Sequence, residues 1–329
     1  MKKYFYLLAM AFFAIQIQSC SSDDDGGAPV NNLETNYLTI ENAVFNDQDF
    51  PEATFEETLD GVDMSSQVMN GAMNYISVVT EKEIQKFFIG VKGVDGYWEM
   101  DASTTITRAT QYNTYVIPVM ISQNYFGNSV IQVSGMLTDG SITLPIEKEM
   151  EYIETKLGDL EVKLAFSNCK DVDLHLYTPS EEHIYYGHKG GTYYTEDGDT
   201  ITYGLDIDSN AGCRIDSINK ENIYIPQELI EAGTYKVVVN MYSNCDRTIP
   251  TSWSVVVRYK GELIATSTGE NPATGVYPVG AGNGDNTEAM TFVIEEPEVR
   301  GARRSRIIPE SFEPIPMTDM DMMKLADEQ

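Results

Sequence analysis

Between Tyr37 and Glu296 the sequence is a succession of short β-forming runs, each cut off by glycine or another turn residue. That punctuation leaves no room for long helices and directs the chain to antiparallel sheets. In the first stretch the expected strands are Met73 to Thr80, Lys86 to Val91, Thr114 to Ser122, Ser129 to Leu137 and Ser141 to Ile146. Gly90, Gly93, Gly96, Gly127 and Gly140 mark turns. VIPVMISQ and VIQVSGML alternate apolar and polar residues, as half-buried strands do. Further runs follow from Asp159 to Ile294, among them Asp171 to Thr178, Thr200 to Ile207, Asn222 to Pro226 and Gly233 to Tyr242. A glycine-rich stretch, Gly269 to Gly284, reads as a long loop before the last strand. The expected class is all-β: an immunoglobulin-like sandwich over residues 37–155, then a jelly-roll-like β-sandwich over residues 156–297.

The two ends read differently. Lys2 and Lys3 precede an apolar stretch from Tyr4 to Ile15, too short to span a bilayer comfortably, and Ser19-Cys20 closes it. This resembles a lipobox: residues 1–19 form a lipoprotein signal peptide and Cys20 carries the lipid. Residues 20–36 form a tether that begins Ser21-Ser22-Asp23-Asp24-Asp25-Gly26-Gly27. An acidic run directly after the lipidated cysteine resembles the surface-export signal of Bacteroidota lipoproteins. The resemblance implies an outer-membrane, lipid-anchored protein exposed at the cell surface, touching the membrane through its lipid only. Residues 298–329 read as a flexible C-terminal tail. It holds Arg300, Arg303, Arg304 and Arg306 and a Met-rich end, suited to disorder or to docking on a partner.

Charge limits the partners. The chain of 329 residues has 51 acidic and 22 basic residues, a net charge of -29. Nucleic acid is excluded as a partner, because phosphate binding needs clustered Lys and Arg. No nucleophile elbow, phosphate loop or dinucleotide fingerprint occurs.

The chemistry-bearing residues gather in the second half. All three histidines, His175, His183 and His188, lie in one short stretch. In Asp171-Val172-Asp173-Leu174-His175-Leu176, strand alternation puts Asp171, Asp173 and His175 on one face and the aliphatic residues on the other. Leu205-Asp206-Ile207-Asp208 repeats the pattern. Carboxylates on one face repel unless a cation or hydrogen-bond donors offset them. Asp206 to Gly212 is oxygen-rich, which suits calcium. It is not an EF-hand: Gly212 sits one place late, and Ser217 takes the twelfth position. The expected metal set is Asp171, Asp173, Asp206, Asp208, Asn210, Asp216 and Glu221, with calcium as the cofactor. The same acids also suit turn caps that bond backbone amides, and both readings stand.

The ordered segments DVDLHLYTPSEEHIYYG, GLDIDSNAG, KENIYIP and AGTYKVVVNMY resemble the YfaP-type secreted bacterial domain of unknown function. The resemblance covers residues 160 to about 258. It implies a β-sandwich and a metal, and it carries over Asp171, Asp173, His175, Asp206, Asp208, Glu221 and Asn222. The chain departs from that pattern at Cys169, Cys213 and Cys245 and in an insertion from Lys189 to Thr202. Tyr185, Tyr186, Tyr193 and Tyr194, together with His175, are the expected ligand-binding residues, since rings stack on sugars and serve in protein interfaces. Cys169 and Cys245 share a Ser-Asn-Cys context at expected strand ends and form the expected disulfide.

These readings add up to a non-catalytic surface lipoprotein. Its second sandwich would bind an extracellular glycan or protein with help from calcium. The alternatives are a hydrolase acting on an extracellular polymer through paired carboxylates such as Asp173 and Asp208, and a structural subunit whose tail docks on a neighbour.

Overall fold

The computed structural model describes residues 33–102, 106–109, 112–194, 198–295 and 311–327. The signal peptide, Cys20, the aspartates at 23–25 and the arginine cluster lie outside the described residues. Period-2 patterning becomes burial directly: along Tyr112–Ile121, Tyr115, Ile117, Val119 and Ile121 are buried while the residues between them are half-exposed. The described chain is all-β, with two short helices, Leu33–Asn36 and Asp319–Asp327.

In the first half, Met73–Thr80 lies between Tyr112–Ile121 and Gly61–Met64 in one sheet. Ile84–Val91 lies between Tyr97–Asp101 and Asn128–Leu137 in another. Ile76, Val78, Phe87, Ile89, Ile117 and Ile131 share the core these strands enclose. Leu33 belongs to that core as well, so the packed chain begins within the stretch read as tether.

The second half also has two sheets. Leu160–Phe166 runs between Thr251–Tyr259 and Lys220–Ile225, and the same sheet continues through Thr200–Ile207 to Gly190–Tyr194. The facing sheet centres on Asp171–Tyr177, Gly233–Ser243 and Asp285–Ile294. Leu164, Val172, Leu174, Val237, Val255 and Phe292 lie in the shared core. Met73 and Tyr75 of the first half pack on Ala165 and Val256 of the second. Beside that apolar seam the buried lysines Lys163 and Lys220 donate to Asn70 O at 2.8 Å and Asn74 Oδ1 at 3.3 Å.

Several expectations need correction. Within Ser141 to Ile146 only Ile142 and Leu144 make isolated bridges, and the strand is Ile146–Tyr152, with Glu147, Glu149 and Glu151 along its exposed side. Within the expected glycine-rich loop, Ala273–Tyr277 pairs with Thr251–Val255. Gly275 permits that pairing, since a Cβ there would stand 2.2 Å from Trp253 Cζ2. The tail is not wholly flexible: Ser311–Pro314 adds to the edge strand Gly190–Tyr194, and Asp319–Asp327 is a helix. Thr318 caps that helix, because its Oγ1 accepts from Asp321 N while Asp321 Oδ2 accepts from Thr318 N.

The disulfide joins Cys213 to Cys245, not Cys169 to Cys245. Cys169 and Cys245 both follow strands, but those strands belong to opposite sheets. The turn Ala211–Cys213 brings Cys213 to a Cα–Cα distance of 5.7 Å from Cys245, within bridging range. Cys169 is a free thiol, 3.8 Å from Ser217 Oγ. With the bridged cysteines separated by 32 positions, Cys245→Ser should cost about 3–4 kcal/mol in chemical denaturation. Alkylation of the folded chain followed by peptide mapping should label Cys169 and leave Cys213 and Cys245 unlabelled.

Candidate functional site

In Asp171–Tyr177 the aliphatic side chains enter the core, as alternation requires, yet the acidic face is buried too: Asp171 is 0% and Asp173 1% exposed. Two other strands bring carboxyls to the same place. Asp208 lies just past the end of Thr200–Ile207, and Glu221 lies in Lys220–Ile225, both in the opposite sheet. Glu221 Oε2 accepts the Leu174 amide across the sheets at 2.6 Å. Gly212, next to the disulfide, donates its N–H to Asp171 Oδ2 at 2.7 Å.

The cation at this centre is Lys324, from the C-terminal helix. Its Nζ stands 2.9 Å from Asp173 Oδ1, 3.0 Å from Asp171 Oδ1 and 3.6 Å from Asp208 Oδ1. The rings of Tyr186 and Tyr242 lie 4.6 and 4.7 Å from the same ammonium, and Tyr242 Oη donates to Lys324 O. Lys189 bridges Asp208 and Asp321 at 3.2 and 3.0 Å, which ties the helix to the sheet a second time.

Five carboxyls thus meet two ammonium groups in a dry place, and they do not all ionise. Burial, then Asp173 and Asp208, raise Glu221 well above the usual carboxyl range. Burial and Asp173 push Asp171 up to about 8 despite Lys324, and burial pushes Asp208 up to about 6. Burial acts on Asp321 in the same sense, but bonds from Asp208, Thr318 and Lys189 outweigh it and hold Asp321 low. Burial opposes the Lys324 charge, and the surrounding carboxyls overcome it and raise its pKa. Burial thus favours the protonated form of Asp171 and Glu221. The remaining carboxylates are shared between the two lysines.

The structure therefore unites Asp171, Asp173, Asp208 and Glu221 and separates the other expected ligands. Asp206 accepts from Asn222 Nδ2 and Lys156 N. Asn210 Oδ1 accepts from Asp216 N and Ser217 N, while Asp216 accepts from Asn210 N and Ile218 N. Asn210 and Asp216 thus shape a turn, while Asp206 ties its strand to Asn222 and Lys156. Asp206 and Asp208 part company where a register shift between Leu205 and Ile207 interrupts the alternation.

The expected ligand-binding residues are also distributed. His175 is buried with Nδ1 2.9 Å from His183 Nε2. Tyr186 is buried against Lys324. Tyr185 stacks on His183 with centroids 3.9 Å apart, and Tyr177 covers the other face of His183 at 4.2 Å. Tyr193 stacks on Tyr203, and Tyr194 donates to Glu313 of the C-terminal segment. These rings contact one another and the chain's own C-terminal segment. Sequence reasoning missed Lys189, Asp321 and Lys324. The available signal was Thr318-Asp-Met-Asp321 ahead of Met322, Met323 and Leu325, a helix cap followed by apolar residues.

No family model matches this chain, and no curated protein matches it.

Lys324→Ala would leave the buried carboxyls without their central cation, and should lower the unfolding free energy by about 3–5 kcal/mol in urea denaturation. The histidines set a pH dependence. Burial and Lys324 hold His175 down at about 4, and burial and His175 hold His183 at about 4. The unfolded chain takes up these protons below about 6.5, so the stability tied to neutral histidine is present above that pH and is lost as pH falls through 4. Compared with His175→Asn, which cancels other titrating groups, the wild type should lose up to about 3 kcal/mol between pH 6.5 and 4. In NMR titration the His175 ring signals should hold still from pH 8 to 5.

Proposed function

We propose that this is a non-catalytic, lipid-anchored protein of the outer cell surface that binds an extracellular protein through its second β unit. Binding is by strand addition at the edge Gly190–Tyr194, and the partner with matching chemistry is the C-terminal segment of another copy of this chain. The observation that carries the reading is the seating of residues 311–327. Ser311–Pro314 pairs in register with Gly191–Tyr194, Ile315 N donates to Gly190 O at 2.9 Å, and Lys324 fills the carboxylate centre beyond. This is peptide recognition by β-augmentation with one charged anchor.

Exchange between copies is within reach. Fifteen residues separate Glu295 from Ser311, and an extended chain of that length spans up to about 50 Å. An element that can seat on its own chain can seat identically on a neighbour. The carboxyls lie under that segment and are paired with lysines, which argues against hydrolysis, where an acid pair must face a substrate across a cleft. The aromatic rings stack on one another, so protein recognition is favoured over sugar recognition.

A fluorescent peptide of residues 311–327 should bind saturably to full-length protein carrying Lys324→Ala, whose own segment is loosened. The same peptide with Lys324→Ala should bind at least about tenfold more weakly, the loss of one buried ion pair. No saturable peptide binding, with binding to a glycan array instead, would replace the reading with sugar recognition. Turnover of a polysaccharide or protein substrate would replace it with an enzyme.

A further inference from the structure

Four carboxyls drawn from three strands are more than one ammonium ion can serve. Lys324 has three N–H donors, and its Nζ is within 2.9 to 3.6 Å of Asp173, Asp171 and Asp208. Glu221 is left over: Oε2 takes the Leu174 amide, while Oε1, in a side chain 1% exposed, has no hydrogen-bond partner. One carboxyl oxygen each from Asp173, Asp208 and Glu221 lie within 4.8 Å of one another. Oxygens sharing a calcium ion at about 2.3–2.6 Å stand at most about 5 Å apart. The donors in this group are oxygens throughout, for among the described residues it is made of Asp173, Asp208 and Glu221 with no histidine or cysteine. That donor set selects a hard divalent cation over zinc.

We infer that Asp171, Asp173, Asp208 and Glu221 form a site for a calcium-class cation, and that Lys324 is its tethered competitor. A divalent ion ligated by these oxygens takes the position of the ammonium, and two cations cannot share it. Entry of the ion therefore expels Lys324. With Lys324 goes the helix Asp319–Asp327 and its second tie through Asp321, and then the strand Ser311–Pro314 that this helix holds in place. Lys189 stays on the sheet beside Asp208. The inference rests on the proposed seating of residues 311–327 and adds its regulation, since an ion at the centre frees a chain's own segment and closes the seat to a neighbour's. The two fail separately: peptide binding that calcium leaves unchanged would keep the first and remove the second.

The test uses the full-length chain, treated with chelator and then titrated with calcium chloride. Calorimetry should show one calcium per chain, and hydrogen exchange of residues 311–327 should quicken by about tenfold or more at saturating ion. Lys324→Met should raise calcium affinity by about tenfold or more, because it removes the competitor. Glu221→Gln should lower it by a similar factor. Unchanged exchange of residues 311–327 at millimolar calcium would overturn the competition, whether or not calcium binds elsewhere. Lys324→Met with no gain in affinity would do the same. If Lys324→Met fails to fold, the exchange measurement on the wild type decides alone.

Discussion

A carboxylate cannot be buried without a cation, a proton or several donors to balance it, and the second half of this protein buries five carboxyls together. Most of what is particular to its architecture follows from how that requirement is met. Glu221 meets it partly by reaching across the sheets to Leu174, which adds a polar tie between two layers that pack through an aliphatic and aromatic core. Asp171 meets it with the Gly212 amide, so the turn held by the disulfide has to sit where it does. The rest is met by Lys324, which makes a helix near the end of the chain a structural part of a site built 100 to 150 residues earlier. An isolated ion pair would not repay its desolvation easily. In this cluster burial favours the neutral form of Glu221 and Asp171, and two tyrosine rings lie against the ammonium.

What could be read from the sequence follows from the range of each interaction. Alternation is local, so DVDLHLY announced its own strand, its core face and its acidic face. Asp171, Asp173, Asp208 and Glu221 were legible as members of a wider set of seven, because each lies on or beside a recognisable strand. The separation of Asp206 from Asp208 was not, since it comes from a register shift that no residue type marks. Cys169 and Cys245 looked equivalent because a Ser-Asn-Cys ending says that a strand stops and not which sheet it belongs to. Lys324 was invisible for the same reason in stronger form. Its bond to Asp173 spans 151 residues, and a lone lysine in a Met-rich, Pro-rich tail carries no sign of burial.

The tail also solves a problem at the edge of the sheet. The strand Gly190–Tyr194 pairs with Thr200–Ile207 on one side, and its outer side would present an open row of amides and carbonyls. Ser311–Pro314 covers the row. The covering strand does not pass the problem outward, because it is short and carries Glu313, and because Pro314, opposite Gly191, has no N–H to offer a further strand. One segment thus closes a sheet edge with its backbone and neutralises a buried acidic centre with its side chain. The two tasks reinforce each other, since the helix that places Lys324 is anchored by the strand and the strand by the helix. Such coupling makes the segment leave as a unit. A change of cation at the centre is then felt at the sheet edge, where the next strand would join.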